Sequence, residues 1–458
     1  MPGICCYSRG ALQFRFPGEV RLNHLLWLFT ALIGLAGAAW PSRADPQPAP
    51  NTVEQEIASV LSGLRSDGLY AAGLHSDGLN QSGGRASQKR GAPAGWDLAA
   101  LMQHARVPGL SISVIDGFQI RWTRAYGVAD VVHQTAVTPR TLFQAASISK
   151  PVMAIAAARL AEQGQMDLDA AIRWPLRSWL VPSGDLDSRA SVTPRMLLSH
   201  TSGLTDGFGF PGYAPTEPLP SAVQILQGVP PSKTAAVVFE NPPMTRAQYS
   251  GGGSLIMQLV LEDRSGEPFA ELMQRAVFGP LQMRQSLYQQ PLPHHLWSIA
   301  ASGHDATGQR LPGRWRIYPE LAAAGLWTTS HDLATMIVSL QKANLGRGSG
   351  PLTQALVRDL LHPVGLGSFA LGFNVFRQGE GWYFAHQGVN AGYRSFLMAH
   401  QTQGYGLVVM TNGDGGDDVI EAICRRVQEV YGWDVAQIDG DFRFAVPRGV
   451  GCLPDFGS

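Results

Sequence analysis

Residues 149–165, SKPVMAIAAARLAEQGQ, read as a helix with almost no polar face. A surface helix keeps one apolar stripe, whereas a helix that is apolar all round must be enclosed by other elements. The chain therefore has to fold around this segment. Pro151 is tolerable because the N–H groups of a first helical turn are unpaired anyway, and Gly164 is a suitable stop. With 458 residues, 45% of them hydrophobic and only 15% charged, the chain can build such a core. One large domain or two modest ones fit that length.

Strand-like segments flank the helical centre. GLSISVID and QIRWTRAYGVAD precede the helix, joined by the turn Asp116-Gly117. FALGFNVFRQ, GWYFAHQG and GYRSFLMAHQTQGYGLVVMTNG follow much later, the last with a hairpin at Gln403-Gly404. Residues 166–300 read as helical pieces broken by Pro/Gly loops, HDLATMIVSLQKA as a helix, and VIEAICRRVQEVYGW as the closing helix. The expected fold is α/β, of the α+β kind: one sheet assembled from both ends of the domain, carrying a helical insertion. A groove between the two lobes is a natural site.

The domain should span residues 96–434. Ahead of it, LLWLFTALIGLAGAAW (25–40) follows Arg15 and Arg21 and precedes PSRADP. That pattern predicts a signal peptide over 1–44, cut after Ala44, with an uncleaved anchor as the alternative. An exported protein, periplasmic or secreted, with no stable membrane span after cleavage is expected. Residues 45–95, rich in Gly, Ser, Pro and Asn, read as a flexible linker with a short helix near 52–64, and 435–458 as a tail. Cys5 and Cys6 would leave with the signal. Cys424 and Cys452 would then either form a disulfide or, for Cys424, be buried in the last helix. Lys plus Arg and Asp plus Glu both number 35, so the net charge is zero. Broad affinity for nucleic acid is not expected, and the partner should be a small-molecule or short-peptide substrate.

Only Lys89, Lys150, Lys233 and Lys342 are lysines, so arginine is the default basic residue. A lysine at the start of an enclosed helix suggests a need that guanidinium cannot meet, because a desolvated amine can act as a base. Ser147 lies three residues ahead of Lys150, which at helical spacing puts both on one face. A serine becomes a competent nucleophile once a neighbouring base takes its proton. The bland alternative for this tetrad is a capping serine beside a surface lysine.

The surrounding stretch TLFQAASISKPVMAIAAARLAEQGQMDLDAAI resembles the nucleophile segment of the serine β-lactamase and penicillin-binding superfamily, in its class C-like branch. LLSHTSGLT, YSGGGSLIMQLVLEDRSGEPF, FGPLQM, AAAGLWTTSHDLA and FAHQGVNAGYRSF follow in that branch's order, covering roughly 95–433. The resemblance implies a β-lactamase/transpeptidase-like fold with an antiparallel sheet. It makes Ser147 the acylated nucleophile, Lys150 its base, and Tyr249 the proton-shuttling phenol of a Y-x-N element. His386-Gln387-Gly388 matches the element usually written K-T-G, and the N–H groups of Ser147 and Val389 would form the oxyanion hole. Gly251 and Gly388 would line the substrate site. Sequence leaves open whether Lys150 or Tyr249 is the acylation base.

Two departures qualify the match. Gly251 stands where the family often has asparagine, and His386 replaces the lysine of K-T-G, which makes efficient β-lactam turnover less expected. Such a hydrolase needs no metal or cofactor. Arg394 could hold a substrate carboxylate, against the plainer expectation of a strand residue facing water. His200 is expected to be structural, not part of a triad with Ser199 or Ser202, and Ser149 is poorly placed as a nucleophile. Lys233-Thr234-Ala235 is read as a decoy for the third motif. NGDGGDD (412–418) reads as a turn and N-cap more readily than a calcium loop. His294-His295 and His304-Asp305 lack a third ligand at usable spacing. Trp327 and Tyr393 are expected to be core aromatics beside the cleft.

The expected activity is hydrolysis of an ester, a D-amino-acid peptide or, less readily, a β-lactam, through an acyl-enzyme. A slow-turnover penicillin-binding protein and a non-catalytic binding protein are the rival readings.

Overall fold

A computed structural model describes residues 50–64, 95–172, 176–179, 192–206, 210–348, 350–379 and 381–433. All lie in one compact unit, Pro50–Ser458. The expected signal peptide, most of the linker, the tail and Cys452 lie outside the described residues. Among the described residues, no helix is long and apolar enough to cross a membrane.

The strands are β1 (Gly109–Asp116), β2 (Gln119–Asp130), β3 (Thr135–Ala136), β4 (Phe143–Gln144), β5 (Trp327–Thr328), β6 (Asn374–Gln378), β7 (Gly381–Asn390), β8 (Tyr393–His400) and β9 (Gly406–Thr411). Seven form one sheet in the order β3-β2-β1-β9-β8-β7-β6, and β4 pairs separately with β5. The early and late halves meet where β1 runs antiparallel to β9, Leu110 opposite Thr411 and Val114 opposite Leu407. The expected sheet built from both ends of the domain is therefore present. Its neighbours β8 and β7 pair antiparallel as well, with Val389 opposite Arg394.

The helices are α1 (Pro50–Leu61), α2 (Leu98–His104), α3 (Ser149–Glu162), α4 (Pro194–Leu198), α5 (Ala222–Gln227), α6 (Gly251–Ser265), α7 (Phe269–Met273), α8 (Gly279–Leu281), α9 (Leu321–Ala324), α10 (Ser330–Asn344), α11 (Gln354–Leu360) and α12 (Gly416–Tyr431). Alternate residues of each central strand face opposite layers, as the two-residue strand period requires. Leu110, Ile112, Phe396, Met398, Leu407 and Val409 pack with Val419, Ile423 and Val427 of α12. Leu397, Ala399, Val408 and Met410 face the other way, into the larger core that contains α3 and α10. Both sheet faces are covered, which explains the nearly continuous apolar runs in β8 and β9. Within the larger core α3 buries Val152 to Ala158 without a break, as its lack of a polar face demands.

Two expectations change. Residues 50–64 do not belong to a linker: Ile57, Val60 and Leu64 are buried against the α12 layer, and Glu56 pairs with Arg121 of β2. That segment has apolar residues at helical spacing, which its polar surroundings obscured. The strand expected from Phe369 starts only at Asn374, because Gly372 turns the chain with a φ of 76°. A Cβ at Gly372 would lie 2.9 Å from the Cα of Pro151, so the chain bends there to pass under the start of α3. Of the two readings of Cys424, the structure has it buried in α12.

Candidate active site

The nucleophile turn is built from backbone constraints. Ala146 has a φ of 49°, a left-handed conformation that costs an L-residue about 1–2 kcal/mol. The surroundings hold it: Ser149 Oγ donates to Ala146 O at 2.6 Å and accepts from Leu326 N at 3.0 Å. Ser395 Oγ of β8 donates to Ala145 O at 2.9 Å. Ser149 is thus a brace for the turn, in keeping with its expected exclusion as nucleophile. The turn continues directly into α3 and leaves the Ser147 side chain half-buried.

Lys150, one turn on, is buried with its Nζ 3.0 Å from Ser147 Oγ. The same amine donates to Ala323 O of α9 at 2.9 Å and lies 4.8 Å from the centre of the Tyr249 ring. Burial lowers its pKa from 10.5 to about 8, although the negative charge of Asp206 acts in the opposite direction. The Tyr249 phenol hydrogen-bonds with Ser147, while burial and then Asp206 hold its pKa well above the usual value. Hydroxyl, amine and phenol therefore meet, with the phenol protonated and the amine readily neutral.

Tyr249 is positioned by the start of α6. Ser250 caps that helix, accepting from Gly253 N at 2.8 Å and donating to Thr205 O at 2.6 Å. Its N–H donates to His200 Nδ1 at 3.1 Å, and the His200 ring packs 4.5 Å from the Tyr249 ring. His200 is no triad member: Ser199 Oγ is bonded to Arg195 O and Thr201. It is nevertheless adjacent to the site, holding the tyrosine, which sequence reasoning missed.

β7 brings the third element alongside. His386 is buried, and its Nδ1 donates to Gln387 O at 2.7 Å, which leaves Nε2 as an acceptor without a hydrogen bond among the described residues. Burial, then the Lys150 charge, lowers its pKa to about 3, so the ring is neutral where a lysine would be cationic. A Cβ on Gly388 would lie 2.1 Å from Ala145 O. Only glycine lets β7 approach the nucleophile turn this closely, which brings the backbone of Ser147 and Val389 onto adjoining elements.

Gly251 is missing a side chain because its space is taken. A Cβ there would lie 2.8 Å from Asp206 Oδ1 and 2.5 Å from Phe210 Cε2. Asp206 accepts the Gly251 N–H through its carboxylate and the Gly252 N–H through its carbonyl, the latter at 3.2 Å. The sequence signal was LTDGFGF beside a glycine-rich helix start, but loop and helix are more than forty positions apart.

Other candidates fall outside the chemistry. Arg394 neither faces water nor is available to a substrate carboxylate: it pairs with Asp414 at 2.9 Å and Asp417 at 3.1 Å and donates to the carbonyls of Asn390 and Tyr393. Asp414 and Asp417 of NGDGGDD thus brace the β7–β8 turn, Asp414 also accepting from Gly392 N. Lys233 pairs with Glu217 at 2.6 Å and lies over the Tyr213 ring. Trp327 and Tyr393 are fully buried with ring centres 6.0 Å apart, as core residues.

This antiparallel sheet, its helical lobe and a serine–lysine–tyrosine cluster at their junction define the architecture of β-lactamases and penicillin-binding proteins. The chain belongs to the beta-lactamase family, whose model matches residues 97–429. It is 23% identical over 327 residues to protein flp of Staphylococcus aureus (strain MW2), covering 68% of this chain and 61% of that protein. The chain thus spans about three fifths of the length of the curated relative it matches. Among solved structures, it is similar to the octameric penicillin-binding protein homologue from Pyrococcus abyssi, with a TM-score of 0.60, 20% identity, and coverage of 74% and 77% of the two chains. It is also similar to a beta-lactamase/D-alanine carboxypeptidase from Pseudomonas syringae, with a TM-score of 0.57, 19% identity, and coverage of 72% and 98%.

Proposed function

We propose that the protein is an exported serine hydrolase that cleaves an ester or amide through an acyl-enzyme on Ser147. The observation that carries this reading is the 3.0 Å approach of Ser147 Oγ to a buried amine whose pKa lies at about 8. Neutral Lys150 takes the Ser147 proton as Oγ bonds to the substrate carbonyl carbon. The N–H groups of Ser147 and Val389 hold the developing oxyanion. Collapse breaks the bond to the leaving group, which receives the proton from Lys150 through the Tyr249 hydroxyl. Water then attacks the acyl carbon, returns its proton along the same path and frees Ser147.

The acylation base is assigned to Lys150 because the phenol is the harder of the two to ionise at neutral pH. Small esters and amino-acid amides fit best. A carboxylate on the leaving group finds a neutral ring at His386 and an ion-paired guanidinium at Arg394. Export rests on the apolar run at 25–40. The test is a panel of p-nitrophenyl esters, alanyl peptides and a chromogenic cephalosporin, with Ser147→Ala alongside. The variant should lose all turnover; wild-type ester hydrolysis by Ser147→Ala refutes the assignment.

A further inference from the structure

We propose that Gln258 and Asn390 are positioning residues of the hydrolytic site, which pin the short helix α9 and so hold the Ala323 carbonyl against the Lys150 amine. The inference rests on the acyl-enzyme reading above and adds the part of the fold that sets its base.

α9 has only four residues, and three of them are the buried alanines 322–324. A helix this short does not hold its own shape in water, and methyl groups give it no polar hold on its neighbours. It is fixed through its backbone instead. Ala322 N donates to Gln258 Oε1 of α6 at 3.1 Å, and Ala323 O accepts from Lys150 Nζ of α3 at 2.9 Å. Ala324 O accepts from Asn390 Nδ2 of β7 at 3.1 Å. Two residues on, Leu326 N donates to Ser149 Oγ and Leu326 O accepts from Ala145 N at 2.9 Å. Three consecutive residues are thus held by three different elements. α6 begins two residues after Tyr249, α3 begins two residues after Ser147, and β7 contains Val389.

Both amides are fixed in orientation. Gln258 also hydrogen-bonds to the Glu262 carboxylate, which takes its NH2 group and turns its oxygen to Ala322. Asn390 Nδ2 meets a second acceptor, Gln144 Oε1, at 2.8 Å, and Gln144 in turn donates to Arg316 O at 2.8 Å. Gln258 and Asn390 are each only 4% exposed, so water cannot replace them. Without either one, a buried N–H or C=O of α9 loses its partner, and α9 must shift to recover one. That shift moves Ala323 O away from Lys150. Neither side chain is bonded to Ser147 or Lys150 among the described residues, so the effect reaches the amine through Ala323. An ammonium is a stronger donor than an amine, so losing this acceptor disfavours the charged form. Asp206, which favours the Lys150 charge, and the His200 and His386 rings, which feel it, are unchanged by such a substitution.

The chain has only four lysines, so carbon-13 labelling at lysine Cε gives an NMR titration of Lys150 itself, assigned by its loss in Lys150→Arg. Glu320, at the head of α9, titrates at about 7, and the lysine signal keeps the two groups apart. Gln258→Met and Asn390→Leu keep the side-chain volume and remove the hydrogen bond. Each should lower the Lys150 titration from about 8 by about one pH unit. With p-nitrophenyl acetate the acid limb should move by the same amount, and plateau kcat should fall about tenfold at unchanged KM. Gln341→Leu is the control: it removes a fully buried amide that ties α10 to His400 O and Tyr405 O. It should lower the urea midpoint and leave the Lys150 titration in place. A titration unmoved or raised in either folded variant, or moved as far by Gln341→Leu, overturns the inference. A second measurement needs no variant: in wild type the N–H groups of 322–326 should exchange with solvent as slowly as those of α3. Exchange at the rate of an exposed loop overturns it as well. A fluorophosphonate label at Ser147 runs in parallel. If Ser147 is labelled but the titration stays, only the positioning role fails; if neither label nor ester turnover appears, the acyl-enzyme reading fails, and the NMR titration still decides what holds Ala323.

Discussion

Lowering the pH is the simplest perturbation of this site, and its effect follows from the Lys150 environment. The pKa of about 8 means that protonation removes the base over a range where most hydrolases are still active. At pH 7 about a tenth of the molecules carry a neutral amine, and at pH 6 about a hundredth. The value of kcat/KM should therefore rise nearly tenfold per pH unit up to about 7.5 and level off above about 8.5. The assay is p-nitrophenyl ester hydrolysis between pH 5.5 and 9.5, with Ser147→Ala subtracted as background at each pH. Asp206 raises the Lys150 pKa, so Asp206→Asn should move the limb to lower pH. A profile flat from pH 6 to 9 would mean that Lys150 does not act as the neutral base. A limb displaced upward in Asp206→Asn would refute the sign of the Asp206 effect.

Two further perturbations test the frame around the site. Glu320 is buried next to α9, and burial raises its pKa from 4.5 to about 7, so the folded state holds its proton more tightly than the unfolded chain does. Stability should therefore fall as pH rises from about 4.5 to 7 and stay lower above, by about 3 kcal/mol in all. Glu320→Gln removes this loss: its urea midpoint should decline less than that of wild type between pH 5 and 8, and parallel declines refute the assignment. Gly388→Ala places a methyl group 2.1 Å from Ala145 O and 2.4 Å from Ser395 Oγ. Pushing β7 from the nucleophile turn should lower kcat by about 10²–10³, as loss of an oxyanion donor does. Unchanged kcat in a folded variant would separate Gly388 from that role.

Much of this site could be read without coordinates because its first parts are local. Ser147 and Lys150 are three residues apart, so helical geometry alone sets their approach. The burial of α3 follows from its composition. What could not be read depends on which distant loop fills a gap. Asp206 lies forty-five residues before Gly251, and nothing in either segment states that one occupies the other's side-chain volume. Arg394 shows the same limit in reverse. Its place on β8 was legible, but its engagement by Asp414 and Asp417 depends on how the 412–418 turn folds back over the β7–β8 connection.

The charge around Ser147 also accounts for the histidine that replaces the usual lysine. Lys150, His200 and His386 are three nitrogen bases close enough for the Lys150 charge to disfavour protonation of both rings. Burial is the larger penalty at each of them, and the Lys150 charge adds to it at both rings. With His386 at about 3 and His200 also depressed, neither ring takes up a proton where Lys150 titrates. A second lysine at 386 would set two ammonium groups against each other, and neither titration would belong to one residue. Histidine keeps a polar ring in that place without a second charge. Lys150 is then left as the titrating base of this cluster, its charge favoured by the carboxylate of Asp206, and the acid limb of the activity profile can be assigned to one amine.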